Sequence, residues 1–317
     1  MSKQDFTILG KNVLPGKTVI LEIEVAKLHT RNTMNIPVIV SRGKKPGPTI
    51  LLLGGVHGDE VNGVAIVRKL IKLKLNRPVA GTIICIPVFN VFGFLNLSRE
   101  FPDGRDLNRM FPGSASGSLA SQFAYKFTKE IAPLVDYVID FHTGGKERSN
   151  APQVRCSFED KETLELAKIF NAPFLLNSNY IPKSLRFTLY KMGKKAILFE
   201  GGKSNEINSE IVTAGVSGAK NVLKHLGFLE GEVEFENNCV VLDRSKWIRA
   251  PYSGLFNCDL QNDTYVRAKD VLGTISDPFG EFERKVKAPS DGYIFAVNTT
   301  PIVNKGDALF HLGVAKS

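Results

Sequence analysis

The sequence predicts an α/β sandwich on a mainly parallel or mixed sheet, followed by a small all-β unit. Three observations carry this. Short apolar runs alternate with amphipathic stretches from residue 18 to about 230, helical periodicity vanishes after about residue 232, and two segments beyond that point repeat one another.

In chain order, TILLLGGV (49–56) reads as a strand because it is short, apolar on both parities and ended by glycines. NGVAIVRKLIKLKL (62–75) places apolar residues three or four apart and reads as a helix. GTIICIPVFN (81–90) is a second buried strand, and LASQFAYKFTKEIAPL (119–134) a second amphipathic helix. VDYVIDFHTGG (135–145) is a third strand, DKETLELAKIF (160–170) a third helix, KAILFEGG (195–202) a fourth strand and EIVTAGVSGAKNVLKHLG (210–227) a fourth helix.

The tail differs in kind. RAPYSGLFNCDLQNDTYVRAKDVLGTIS (249–276) and KAPSDGYIFAVNTTPIVNKGDALFHLG (287–313) share a basic-Ala-Pro start, a glycine, an apolar stretch and an Asp-x-Leu close. Each half supplies short strands separated by Gly, Pro, Asn and Asp turns, which predicts a small barrel or sandwich made by duplication. It resembles the biotinyl/lipoyl-type barrel, but SDPFGEFERKV between the halves lacks a carrier lysine flanked by methionines. Structural support, homo-oligomer formation and a lid are equally open as its role.

Composition excludes several classes. Cys85, Cys156, Cys239 and Cys258 lie far apart without CxxC spacing, which argues against a thiolate zinc knuckle and a disulfide framework. The net charge of +9 is scattered over clusters such as RGKK and KLIKLKLNR, which fits a solvated surface that draws in small anions better than a nucleic-acid site. No run of about 18 apolar residues occurs, and the first residues lack a basic head followed by an apolar stretch. The expectation is a soluble, cytoplasmic protein with no nucleic-acid or membrane partner.

The chemistry gathers at strand ends. After TILLLGGV come His57, Asp59 and Glu60, so that a His-x-x-Glu loop at a strand's C-terminal end can converge on one cation. The two acids also suit the positive end of the helix that follows. VIDFHTGG repeats the design with His142, and only His57 and His142 of the five histidines sit in such glycine-flanked positions. Two histidines and one carboxylate form a three-ligand zinc site that leaves a position open for catalysis. Asp140 is a candidate acceptor for an imidazole N–H, or a buried structural acid. Glu200 closes a third apolar strand before two glycines and is the candidate general base. Between these lies SREFPDGRDLNRMFPG (98–113), a non-periodic loop with three arginines, suited either to gripping a carboxylate or oxyanion or to pairing locally with Asp103 and Asp106.

The motifs GGVHGDE, DLNRMFPG, DFHTGG and FEGG, in this order, resemble the succinylglutamate desuccinylase/aspartoacylase family of the zinc carboxypeptidase superfamily. The likeness covers roughly residues 45–230, and the trailing β-unit resembles one that many bacterial members carry. It implies a zinc-carboxypeptidase-like catalytic domain over residues 1–232 and a C-terminal β-domain over 233–317. It also implies one Zn2+ per chain on His57, Glu60 and His142, with Glu200 promoting attack by water. Asn108 and Arg109 are implied as binders of the substrate carboxylate. Arg99 matches the arginine that polarises the scissile carbonyl, with Arg105 as the alternative, and Arg155 and Arg186 are further candidates for the substrate pocket. The function implied is a zinc-dependent deacylase for an N-acyl amino acid or similar small carboxylate-bearing amide. A metallocarboxypeptidase for peptide C-termini is the alternative enzyme, and a metal-stabilised scaffold the non-enzymatic one, although a scaffold has no need of Glu200.

Overall fold

The computed structural model describes residues 5–235 and 238–315. A short hairpin, β1 (Thr7–Ile8) and β2 (Lys11–Asn12), precedes β3 (Thr18–Lys27), β4 (Thr33–Arg42) and β5 (Lys45–Gly54). Then follow α1 (Val61–Lys72), β6 (Ala80–Ile86), α2 (Val91–Leu95), α3 (Leu119–Glu130), β7 (Tyr137–Gly144) and β8 (Arg148–Cys156). The α/β part continues through α4 (Lys161–Phe170), β9 (Phe174–Asn177), α5 (Leu185–Lys191), β10 (Lys195–Lys203) and α6 (Ser209–His225). The four strands expected from the sequence are β5, β6, β7 and β10, and the four helices are α1, α3, α4 and α6. The helix expected over 119–134 stops at Glu130, because Pro133 has no N–H to continue the ladder and its turn closes as a 3-10 helix.

At the centre of the sheet β10, β7, β5 and β6 run parallel, while β4 and β8 run antiparallel to their neighbours β6 and β10. The sheet is therefore mixed and flanked by helices. Its two faces follow the period of two: Leu51 and Leu53 pack with α3 on one side, whereas Ile50 and Leu52 pack with α1, α4 and α6 on the other. Each of these side chains is fully buried, worth about 1.5–3 kcal/mol apiece. Helix α1 presents Ile66, Val67 and Leu70 to the second face. Its approach to β7 is possible only because residue 63 is glycine, since a β-carbon there would lie 2.3 Å from the Phe141 carbonyl oxygen. That contact fixes the start of α1 beside the end of β7.

The tail forms β11 (Val240–Arg249), β12 (Gly254–Asn257), β13 (Thr264–Val266), β14 (Val271–Ser276), β15 (Glu283–Lys287), β16 (Gly292–Asn298), β17 (Ile302–Val303) and β18 (Ala308–Ala315). The duplicated halves fold alike, β12–β13–β14 matching β16–β17–β18, and they exchange partners: β12 pairs with β17 and β13 with β16. Around these strands lies a core of its own, with Phe256, Ile275, Ile294, Phe310 and Leu312. The large sheet nonetheless runs on into this unit. Strand β11 pairs parallel with β9, and β16 pairs with β8 at Ala296↔Asn150 and Asn298↔Arg148.

Candidate active site

The ends of β5, β7 and β10 deliver the expected residues to one place. His57, Glu60 and His142 are all buried, and their ligand atoms lie within 4.8 Å of one another. His57 Nδ1 is 2.8 Å from Glu60 Oε1 and His142 Nδ1 is 2.8 Å from Glu60 Oε2. The outer nitrogens face acids: His142 Nε2 is 2.9 Å from Asp140 Oδ2, and His57 Nε2 is 3.1 Å from Asp106 Oδ1. Of the two readings of Asp140, the imidazole acceptor is the one that its position matches.

Asp106 is tied in turn to Arg99, whose Nε and Nη2 donate to its Oδ2 at 3.2 and 2.9 Å, while Nη1 donates to Glu60 Oε1 at 3.0 Å. The Thr143 amide also donates to Glu60 Oε2 at 3.1 Å. Burial alone would raise the Glu60 pKa, but His57 and His142 hold it well below the ordinary carboxylate value. For His142 burial works downward, and Asp140 and Glu60 carry it well above the usual imidazole range; His57 is raised likewise by Glu60 and Asp106.

The donor set fits zinc. Two neutral nitrogens and a carboxylate are its preferred hard-to-borderline ligands, and imidazoles bound to it donate their other N–H to carboxylates as Asp106 and Asp140 allow here. The His57 Nδ1 atom is close to Glu60 yet in no hydrogen-bond geometry with it, which leaves that nitrogen available to a metal.

Glu200 pairs in register with His142 across β10 and β7, which brings it level with the donor set without joining it. Its Oε2 accepts from Arg155 Nη2 at 2.6 Å and from Asn150 Nδ2 at 2.8 Å. The ladder to β8 is irregular between Glu200 and Gly202, where Gly202 takes φ +76 and Pro152 of β8 is accommodated.

A cavity of about 290 Å3 opens over these groups. Arg99, Asn108, Arg109, Arg155 and Arg186 all line it. Asn108 Oδ1 accepts from the Leu185 amide at 2.9 Å, and Arg109 Nη1 donates to the Asn108 carbonyl at 2.8 Å. Arg186 is buried, its Nη2 held by Ser178 and Asn179, while Nη1 has no partner among the described residues. Arg105 is not brought to the cavity. Its side chain is half exposed and lies 3.7 Å from Asp103, and it is not among the residues that line the cavity.

Sequence reasoning missed four groups. Asp106 was explained by its arginine neighbours, although it opens the DLNR run. Asn150 and Arg148 lie on β8, which has no apolar period, and Trp247 reaches the cavity from β11 of the tail.

The sequence profile of the succinylglutamate desuccinylase/aspartoacylase catalytic domain matches residues 46–226. The chain belongs to this family. It is 30% identical over 289 residues to the N-alpha-acetyl-L-2,4-diaminobutyric acid deacetylase of Halomonas elongata, covering 86% of this chain and 84% of the relative. The structure resembles a succinylglutamate desuccinylase/aspartoacylase from Rhodobacter sphaeroides at TM-score 0.84 and 26% identity, over 95% of this chain and 96% of the other. It also resembles the product-bound ectoine utilization protein EutE (DoeB) from Ruegeria pomeroyi at TM-score 0.83 and 26% identity, over 94% of each chain. This member of the desuccinylase/aspartoacylase family is a hydrolase acting on non-peptide amide bonds. Among the described residues no helix is long and apolar enough to cross a membrane.

Proposed function

We propose that this family member is a zinc-dependent deacylase that hydrolyses the amide of an N-acylated amino acid. The observation that carries the reading is Glu200, which stands level with the His57–Glu60–His142 set but outside it, as a base must and a ligand must not. His57, Glu60 and His142 would hold the zinc, which would supply Lewis acidity to the carbonyl and to the attacking water.

The chain's own residues do the rest. Glu200 accepts the proton of the attacking water and returns it to the leaving nitrogen, with Arg155 and Asn150 fixing the carboxylate for both transfers. This gives Arg155 a positioning role in place of direct substrate binding. Arg99 donates to the oxygen that becomes negative as the carbonyl is attacked. Asn108 has its Oδ1 occupied by Leu185, so its amide N–H groups and the Arg109 guanidinium are left to hold the amino-acid carboxylate. The free Nη1 of Arg186 lies in the same wall and serves the same end of the substrate.

A cavity of about 290 Å3, partly walled by Trp247, suits a small amide better than a peptide chain. The Halomonas relative is named for a substrate that keeps a second amine after acetylation. Here the only carboxylates among the described lining residues are Glu60 and Glu200, both committed, so we assign the site to substrates whose additional groups are neutral or anionic. The four cysteines are free, which supports a reducing cytoplasm as the location. We also divide the chain into a catalytic unit, 1–232, and a β-unit, 233–317, on the strength of the separate core of the latter.

The test is a screen of zinc-loaded protein against N-acetyl and N-succinyl amino acids alongside a ladder of peptides read from their C-termini. Release of free amino acid from the small amides is expected. Turnover confined to peptides, or no turnover with about one zinc per chain bound, would remove the reading.

A further inference from the structure

The cations of the cavity are not equally engaged. Arg99 is neutralised by Glu60 and Asp106, and Arg155 by Glu200. Arg109 and Arg186 stand in the wall assigned to the amino-acid carboxylate. Of the remaining lining cations Lys146 is exposed, whereas Arg148, half-buried at the start of β8, donates its Nε to the Gly145 carbonyl at 3.2 Å and its terminal nitrogens make no hydrogen bond or ion pair among the described residues. Its neighbours in charge are Arg99, Glu200, Arg155 and Glu60, whereas Arg186 is packed with Ser178, Asn179 and Tyr180. Both arginines neighbour the Glu200–Arg155 pair, but Arg148 stands toward Arg99 and Glu60 and Arg186 toward Ser178 and Tyr180.

Its position is built. The guanidinium lies over the Trp247 ring, 5.4 Å from the centroid, and that ring stacks on His311 at 4.0 Å with planes 15° apart. His311 rests on Phe295 at 4.3 Å, and its Nε2 is 3.0 Å from Ser245 Oγ. The β16–β8 pairing at Asn298↔Arg148 fixes the backbone beneath. A half-buried cation held this firmly, with its terminal donors unused at the wall of a cavity, lacks an anion.

We infer that Arg148, held against Trp247 of the β-unit, is a specificity-determining residue that binds an anionic group on the substrate's acyl side, away from the amino-acid carboxylate. A terminal carboxylate on the acyl chain has that chemistry, and an acetyl group does not. The inference rests on the deacylase reading for its orientation of the substrate, so the test has one arm that needs no turnover.

Trp247 is the only tryptophan in the chain, so its emission reports on this wall directly. Succinate and acetate are titrated against metal-loaded protein, with succinate expected to perturb the emission at least about tenfold more tightly, the margin of a charge-assisted contact. Arg148→Met is expected to erase that difference. In the kinetic arm, the ratio of kcat/KM for N-succinyl over N-acetyl forms of one amino acid is expected to fall at least about tenfold in Arg148→Met. Arg148→Gln carries the same test should the methionine variant not fold. An emission response to succinate that survives in the neutral variant overturns the inference, as does a ratio that falls by less than tenfold. Absence of turnover with any amide would count against the deacylase reading alone, and the emission arm would then decide.

Discussion

Replacing Glu200 by glutamine separates proton transfer from metal binding. The amide keeps the shape of the side chain and can still accept from Asn150, now 2.8 Å away, but it cannot take a proton from water. Loss of a general base lowers turnover by about 100- to 10,000-fold, or roughly 3–5.5 kcal/mol of barrier. The Arg155 pair, 2.6 Å long, is lost with it. Both side chains are partly exposed, 21% and 16%, so the cost to folding is about 1 kcal/mol or less. Zinc content should be unchanged, because Glu200 is outside the donor set. Glu60→Gln should behave oppositely: that carboxylate accepts from Arg99 and Thr143 and faces both imidazoles, so zinc is lost first and turnover follows. The assay is amine release at saturating substrate, run beside elemental analysis of the same samples. Turnover above about a tenth of wild type in Glu200→Gln, with zinc in place, would refute the assignment of the base.

Asp106→Asn should weaken zinc affinity about 10- to 100-fold in chelator competition, because a neutral amide is a weaker acceptor for the outer N–H of His57 and its NH2 group cannot accept from Arg99 as Oδ2 does. Since His142 in the metal-free protein is raised well above the usual imidazole value of about 6.5, protons should compete with zinc beyond neutrality, and measured affinity should still be climbing above pH 7; a plateau from pH 6.5 upward would count against it. His311 shows the opposite sign: burial, aided by Arg155 and Arg148, pushes its pKa down to about 2. Below pH about 6.5 the unfolded chain takes a proton the folded one refuses, so stability should fall by about 1.4 kcal/mol per pH unit, and urea melts of His311→Gln should lose that component between pH 7 and 5. Gly63→Ala should lower Tm and zinc affinity together, since its β-carbon would meet the Phe141 carbonyl oxygen at 2.3 Å and force the start of α1, with Glu60, off β7; a normal zinc affinity would show that the two are not coupled.

Much of the site was legible because it is written at strand ends. His57, His142 and Glu200 each follow an apolar run and precede or flank glycines, a local pattern that a sequence displays. Strand β8 was not legible, since Asn150, Gln153 and Arg155 interrupt any apolar period and Pro152 argues against a central strand. Asn150 and Arg155 bond to Glu200 and line the cavity, so the polarity that shapes the candidate site also hid the strand. Arg99 lines the cavity and Arg105 does not, a difference that six residues of spacing in an irregular loop cannot display. Trp247 lies almost two hundred residues from His57 in the chain. Only the pairing of β11 with β9 and β18 brings it to the site.

The junction between the two units also bears on how the protein reaches its native state. Strand β9 is the tetrapeptide Phe-Leu-Leu-Asn, and β11 occupies its outer side through Val240↔Phe174 and Leu242↔Leu176. Until residues 240–249 arrive, this apolar strand is an open edge able to pair with another chain. The contacts that close it join segments more than sixty residues apart, and those of β16 with β8 span about twice that distance, which makes closure slow. A chain cut at residue 232 is therefore expected to aggregate during refolding, and a chaperone that shields strand edges, or co-expression of the missing segment, should recover soluble protein.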